Sequence, residues 1–339
     1  MKQSWRRRVL ISLVALAAIA LTACSTGAPS STGINAGPGE PQPLEDLKIG
    51  VFIPATSNAY LQAEKTGAEE TAKKAGIDLT VVASDWDPQR QNDAMMLAMQ
   101  RKTYDAWIVN PISPREQCSQ IKDAAAQGIK VLVVVTAICG DDGYTDGTLG
   151  FIGEQNAAGY RGWWKHIFEN TDAGKLAAIT GPDLDFVTMA TQSALESVQP
   201  EYPDHTIASF QKTDYLTEEA FAVTQTTLRS NPDLKAVASN YSGMTRGVVQ
   251  AVQESGKSSN VTVFDSNGDS WTKSAIESGT VKMALPGTPY TDMKLAVEMM
   301  MASWQGQEVA KVTNPLDQLQ FAGAPYITKD NVGSWVPEY

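Results

Sequence analysis

Short apolar runs alternate with longer segments of helical periodicity along most of the chain. The runs at 47–53 (LKIGVFI), 77–83 (IDLTVVA), 105–110 (DAWIVN) and 130–135 (KVLVVV) are rich in Val and Ile and hold few polar groups. That is the pattern of strands buried on both faces. Between them, residues 60–75 carry helical spacing that stops at Gly76, and Asp87 followed by Pro88 marks the start of a second helix. Ser113-Pro114-Arg115-Glu116 has the spacing of a capping box and predicts a third. The 130–135 run closes this half, reads as the fifth strand of a first lobe, and ends at a cleft with Thr136.

A second series follows. Strands are predicted at 149–153, 175–180, 206–210, 234–239, 261–265 and 280–285, with helices near 156–170, 187–198, 217–230, 243–255 and 269–278. Strand alternating with helix at this pitch implies parallel sheets built from right-handed crossovers. The fold class is therefore α/β, and two such series predict two similar Rossmann-like lobes.

The chain opens differently. Lys2, Arg6, Arg7 and Arg8 precede an apolar stretch from Val9 to Leu21, too short for a permanent span and one-sidedly basic, as in a secretory signal. Leu21-Thr22-Ala23-Cys24 matches a lipobox, so residues 1–23 are expected to be a lipoprotein signal peptide and Cys24 the lipidated residue that anchors the protein to the membrane. An ordinary small-residue cleavage site is the alternative, and export by the Sec or the twin-arginine route stays open. Residues 24–44 are rich in Ser, Gly and Pro, with almost no large apolar side chain, which predicts a flexible tether.

Composition narrows the function. The 339 residues are 42% hydrophobic and 19% charged, enough for two globular domains. Loss of the signal removes four basic groups and leaves 23 against 38 acidic ones, a net charge of about −15. Such a surface argues against nucleic acid as a partner. Two histidines, His166 and His205, have no metal-ligand spacing, and no P-loop or G-x-S-x-G occurs, so neither metal, cofactor nor catalysis is expected. Asp265-x-Asn267-x-Asp269 resembles the start of a calcium loop but lacks its glycine and distal glutamate.

In open parallel sheets ligands sit beyond the carboxyl ends of the strands. The candidate binding residues at these exits are therefore Asn58, Tyr60, Trp86, Asn110, Thr136, Asp185, Tyr215, Asn240, Tyr241 and Asp265. Asn at such positions also serves turns, and loop acids are often merely solvated. Trp163 and Trp164 are expected in the core, and Trp271 is close enough to the Asp265 loop to compete as a contact.

The segments KIGVFIPATSNAYLQAEKTGAEETAKKAG, WIVNP, NPDLKAVASNYSGMTRGVVQAVQESGK and VTVFDSNGDSWTKSAIESG resemble the type I substrate-binding proteins of bacterial ABC importers, specifically the ribose-binding group. The resemblance spans about residues 47–322. It implies lobes at 45–151 with 288–316 and at 152–287 with 317–339, joined by three crossovers and closing on a sugar or polyol. It also implies delivery to an ABC permease by a monomer at the outer face of the membrane or in the periplasm, without chemistry. Asn58 and Asp265 match polar ligand contacts, Tyr241, next to Asn240, falls where the family has a ligand-binding asparagine, and Tyr60 and Tyr215 match ring-stacking aromatics. The pattern departs where relatives carry an Asp-Arg grip, here Val135 and Thr136, and where they carry an arginine, here Thr191. Trp86 replaces a small polar group. A smaller polyol or a modified sugar suits these changes, and a sensory partner of a receptor kinase is the alternative role.

With Cys24 acylated, Cys118 and Cys139 remain in an oxidising compartment. Cys139 lies on the loop past the 130–135 strand and Cys118 in the first turns of the helix capped by Ser113. Both sit at one edge of one sheet, and a disulfide between them is expected.

Overall fold

The computed structural model describes residues 40–183 and 185–339. The signal peptide, Cys24 and the tether up to residue 39 lie outside the described residues. The end of the expected tether is docked: the Gln42 amide donates to the Trp304 carbonyl at 3.2 Å, and the Trp304 indole to the Pro43 carbonyl at 2.9 Å. Among the described residues no helix is long and apolar enough to cross a membrane.

Two six-stranded sheets organise the body. The first contains β1 (Lys48–Ile53), β2 (Asp78–Ala83), β3 (Ala106–Val109), β4 (Lys130–Val134), β5 (Gly150–Ile152) and β11 (Val312–Thr313), in the order β11-β5-β4-β3-β1-β2 and parallel throughout. The second contains β6 (Gly174–Thr180), β7 (His205–Lys212), β8 (Leu234–Ser239), β9 (Thr262–Gly268), β10 (Met283–Pro286) and β12 (Ile327–Thr328), in the order β12-β10-β9-β8-β6-β7. Only the pairing of β12 with β10 is antiparallel. The chain passes between the sheets after β5, after β10 and after β11.

Helix ends follow their sequence signals. Helix α1 (Ala59–Ala75) starts at Asn58, whose Oδ1 accepts the Leu61 amide, and stops at Gly76 in the left-handed region. Helix α2 (Pro88–Arg101) is capped by the Asp87 carboxylate, with Pro88 in its first turn. Helix α3 (Cys118–Ala126) begins later than the Ser113 box predicts. The Gln117 side chain accepts the Ser113 amide at 2.7 Å and donates to the Pro88 carbonyl, holding 114–117 as turns.

Three further expectations need correction. The 130–135 run is the fourth strand in chain order, and the 149–153 run belongs to the first sheet, beside β4, not to the second. The predicted strand at 261–265 continues to Gly268, which places Asp265 inside β9. A helix absent from the sequence reading, α9 (Pro289–Trp304), packs with α1 against the first sheet.

The remaining helices are α4 (Ala157–Glu169), α5 (Phe186–Val198), α6 (Thr217–Ser230), α7 (Ser242–Glu254) and α8 (Ser270–Glu277). One apolar layer, with Ile49, Val51, Ile108, Leu132, Met293 and Val297, lies between the first sheet and α1 and α9. A second lies behind the other sheet, and a third, with Trp107, Trp163, Trp164 and Phe264, joins the remaining faces. Trp163 and Trp164 are core residues, as expected, and their indole N–H groups are satisfied by the Asp265 and Thr191 carbonyls.

Candidate ligand-binding cleft

The carboxyl ends of both sheets meet at one cavity of about 110 Å³. From the first lobe it is lined by Asn58, Tyr60, Trp86, Asn110, Val135 and Thr136 together with Pro54, Leu61, Pro111 and Ile112. Asp185, Val187, Tyr215, Asn240, Tyr241 and Asn267 line it from the second, and Gln155 enters from the crossover after β5. Nine of the sequence candidates thus converge. Thr191 and Asp265 do not line it, and Trp271 lies elsewhere, under the Arg246 guanidinium at 5.3 Å.

Aromatic rings form two of the walls. Tyr60 is 7% exposed, meets Tyr339 edge-on at 5.6 Å, and accepts the Gln155 Nε2 hydrogen at 3.0 Å. Tyr215 meets Tyr241 edge-on at 5.6 Å, in space that Gly181 provides: a Cβ there would stand 2.1 Å from the Tyr215 ring. Trp86 remains 50% exposed at the rim.

Backbone strain concentrates here. Trp86 (φ 60°), Val135 (φ 61°), Tyr215 (φ 63°) and Asn267 (φ 70°) all line the cavity in the left-handed region. For a β-branched residue such as Val135 this is an outlier. The Thr136 amide closes a tight turn onto the Val134 carbonyl at 2.6 Å, and the Val135 amide is held by the Ile152 carbonyl. Such conformations persist where the surroundings over-determine them, and they cluster at ligand sites.

The polar groups are mostly amides. Asn110 is buried and its Nδ2 donates to Glu64 Oε1 at 2.8 Å. Asn58 uses Oδ1 for the cap of α1, so Nδ2 is its remaining polar atom. Asp185 caps α5 through the Thr188 amide and accepts the Tyr215 hydroxyl at 2.6 Å, which ties the cavity's one carboxylate among the described residues to its own lobe. Burial raises the Asp185 pKa, against those hydrogen bonds. Among the described residues no lysine, arginine or histidine lines the cavity.

Asp265 is enclosed. Its carboxylate accepts the hydroxyls of Ser242 at 2.9 Å and Thr272 at 3.2 Å, and that of Thr245. Burial pushes its pKa up to about 8 against those donors. Behind Tyr60, Glu64, Glu154 and Asp292 are also buried, and no ion pair among the described residues includes them. Gln155 and Asn267 were not candidates in the sequence. Gln155 sits in a crossover without a strand-exit signal, while Asn267 was hidden by ending β9 too early.

Comparison with known proteins adds context to this geometry. A family model described as "periplasmic binding protein domain" matches residues 49–308. The ribose import binding protein of Bacillus subtilis (strain 168) is 23% identical over 312 residues, covering 91% of this chain and 98% of the relative. A solved ABC transporter solute-binding protein from Bacillus halodurans C-125, with bound myo-inositol, has a TM-score of 0.75 at 16% identity and covers 88% of this chain and 99% of its own. Another from Actinobacillus succinogenes 130z, with bound D-allose, has a TM-score of 0.72 at 20% identity and covers 85% and 100%. The two solved structures share the fold described above.

Proposed function

The chain belongs to the periplasmic binding protein domain family, and from that premise we propose that it is the solute-binding component of an ABC importer, capturing a neutral sugar or polyol between its lobes for delivery to a membrane permease. The observation that carries this reading is the convergence of tyrosine rings and neutral amides from both lobes on one cavity that no cationic side chain among the described residues lines. A sugar presents apolar C–H faces and polar edges, so rings cover the former while amides and hydroxyls take the latter. The relatives' names, which specify ribose import, D-allose and myo-inositol, support a polyhydroxylated solute and import rather than docking on a receptor kinase.

Binding is the whole task in this reading, and the ligand leaves unchanged. Asn58, Tyr60, Trp86, Asn110, Thr136, Tyr215, Asn240 and Tyr241 touch it. Val135, Thr136 and Thr191 stand where charged grips occur in the ribose-binding group, which favours ligands held by neutral contacts. The protein is exported, works as a monomer, and is tethered to the membrane through a lipid on Cys24.

A thermal-shift panel of neutral pentoses, hexoses and polyols, including D-ribose, D-allose and myo-inositol, tests the proposal. A ligand at 100 times its Kd adds about 2.7 kcal/mol of stability. At least one member is expected to raise the melting temperature, and a panel without any shift contradicts the reading.

A further inference from the structure

We propose that Glu64, Glu154 and Asp292 form a proton store beside the hinge, which takes up protons when the lobes close on a solute, so that binding weakens as the medium turns alkaline. This rests on the reading above that the lobes close on a ligand. The three side chains come from separate parts of the chain that meet behind Tyr60. Glu64 lies on α1, Glu154 in the crossover after β5, and Asp292 in the first turn of α9, just past the crossover after β10. They are 0%, 2% and 0% exposed.

Glu64 Oε2, both oxygens of Glu154 and Asp292 Oδ2 have no hydrogen-bond partner among the described residues. The neighbouring donors are given elsewhere: the Asn110 amide to Glu64 Oε1, the Thr288 hydroxyl to Asp292 Oδ1 at 3.0 Å, and the Gln155 amide to the Tyr60 hydroxyl. The other titratable groups facing the cluster are Tyr60 on α1, Glu338 and Tyr339, with Tyr241, Asp265 and Asp269 beyond Tyr339. Of the cations nearby, Lys294 on α9 faces Glu338 but pairs with Glu298 at 3.9 Å, and Arg246 pairs with Asp269. A carboxylate buried without a cation or donors is costly, so these groups keep their protons to higher pH. Burial, the largest cause, pushes Glu64 up to about 8 and Glu154 to about 7, and raises Asp292.

The cover over this cluster runs from one lobe to the other. Glu338 is tied to the first lobe, where it accepts the Thr291 amide on α9 at 3.0 Å. The next residue is tied to the second: the Tyr339 carbonyl accepts the Ser270 amide at 2.8 Å and hydroxyl at 2.7 Å, and the Tyr339 hydroxyl donates to the Asn267 carbonyl. Its ring packs edge-on against Tyr60, which belongs to α1. Parting of the lobes therefore draws Tyr339 off Tyr60, shifts the crossover that carries Glu154, and lets water reach the carboxyls. A hydrated carboxyl ionises nearer its ordinary range, so the open form holds fewer protons than the closed one between about pH 5 and about pH 8. By linkage, closure on a solute then binds protons, and affinity falls as pH rises.

Calorimetric titration of the full chain with D-ribose, D-allose and myo-inositol tests the proposal, with whichever binds most tightly carried across pH. Its Kd is expected to rise roughly tenfold between about pH 6 and about pH 8.5. At about pH 7.5, heats measured in phosphate and in Tris should differ by the uptake of about half a proton or more per solute bound. Glu154→Gln, isosteric and uncharged, is expected to bind like the unmodified chain at about pH 6 and to lose much of the rise in Kd, and Glu64→Gln should also reduce that rise. Binding with a flat Kd and buffer-independent heat, or with proton release, would overturn this inference and leave the importer reading standing. An undiminished rise in both variants would overturn the assignment to this cluster. If no neutral sugar or polyol binds at either pH, the parent reading falls and takes this inference with it.

Discussion

Three carboxyls behind the Tyr60 ring, those of Glu64, Glu154 and Asp292, are buried without a cation beside them among the described residues. Burial pushes Glu64 up to about 8 and Glu154 to about 7, and raises Asp292 well above the carboxylate range. A carboxyl whose folded pKa exceeds its unfolded value binds more protons when folded, so its stabilisation is full below the unfolded value and is lost as pH rises through the folded one. The melting temperature is therefore expected to fall between about pH 5 and about pH 8.5, and Glu64→Gln, which can still accept from Asn110, should flatten that fall. Thermal melts at several pH values check this; equal slopes in both proteins would count against it. Asn58 allows a second separation, because Asp at this position still caps α1 but cannot donate. Asn58→Asp should keep its stability and lose ligand affinity by several-fold, whereas Asn58→Ala should also lose about 1 kcal/mol of stability, as denaturant unfolding would show. The candidate side chains at strand exits were legible because apolar runs announce where a parallel strand stops. Asp265 was misplaced since VTVFD loses its apolar pattern at Ser266 while the pairing with β10 continues to Ser266 and, past a bulge at Asn267, to Gly268. Sequence spacing also could not reveal that the Asp265 carboxylate is enclosed by Ser242, Thr245 and Thr272, which come from two separate helices.

At the scale of elements, loops rather than strands give the cleft its shape. The loop after β4 turns at Val135 and reaches Cys139, which is joined by a disulfide to Cys118 at the start of α3, with Cα atoms 5.0 Å apart. The bond spans 21 residues of sequence, and a crosslink of that length stabilises by roughly 3 kcal/mol in the chain-entropy view. Reduction, or Cys118→Ser with Cys139→Ser, is expected to lower the unfolding free energy by about that amount; two free thiols in unreduced protein would refute the bond. Most strands and helices were readable from period and caps. The short β11 and β12, two residues each, carry too little pattern to detect. Helix α9 lay beyond the last regular strand–helix unit, although Met293, Ala296, Val297 and Met300 have helical spacing. The assignment of β5 to the first sheet depends on its pairing with β4 and β11, a long-range fact that its five-residue signal, LGFIG, does not contain.

For the whole molecule, three crossings let two sheets face each other across the cleft, and Glu338 and Tyr339 add contacts to both. Glu338 accepts the Thr291 amide on α9 at 3.0 Å, while the Tyr339 carbonyl accepts the Ser270 amide on α8 at 2.8 Å and the Tyr339 ring packs on Tyr60. Removing that ring should loosen Tyr60 and weaken binding, so Tyr339→Ala is expected to raise Kd by several-fold in a ligand titration. The α/β class and two-lobe series could be inferred from alternation alone, but the cavity required spatial convergence of residues more than 200 positions apart, such as Asn58 and Asn267. The central claim is that a neutral polyhydroxyl ligand is held by rings and amides. Calorimetric titration of the full chain with neutral sugars and polyols, set beside uronic acids and sugar phosphates, tests it most directly. One neutral member binding at one per chain, with the charged counterparts much weaker, is the expected result; saturable binding only by the charged compounds would contradict it.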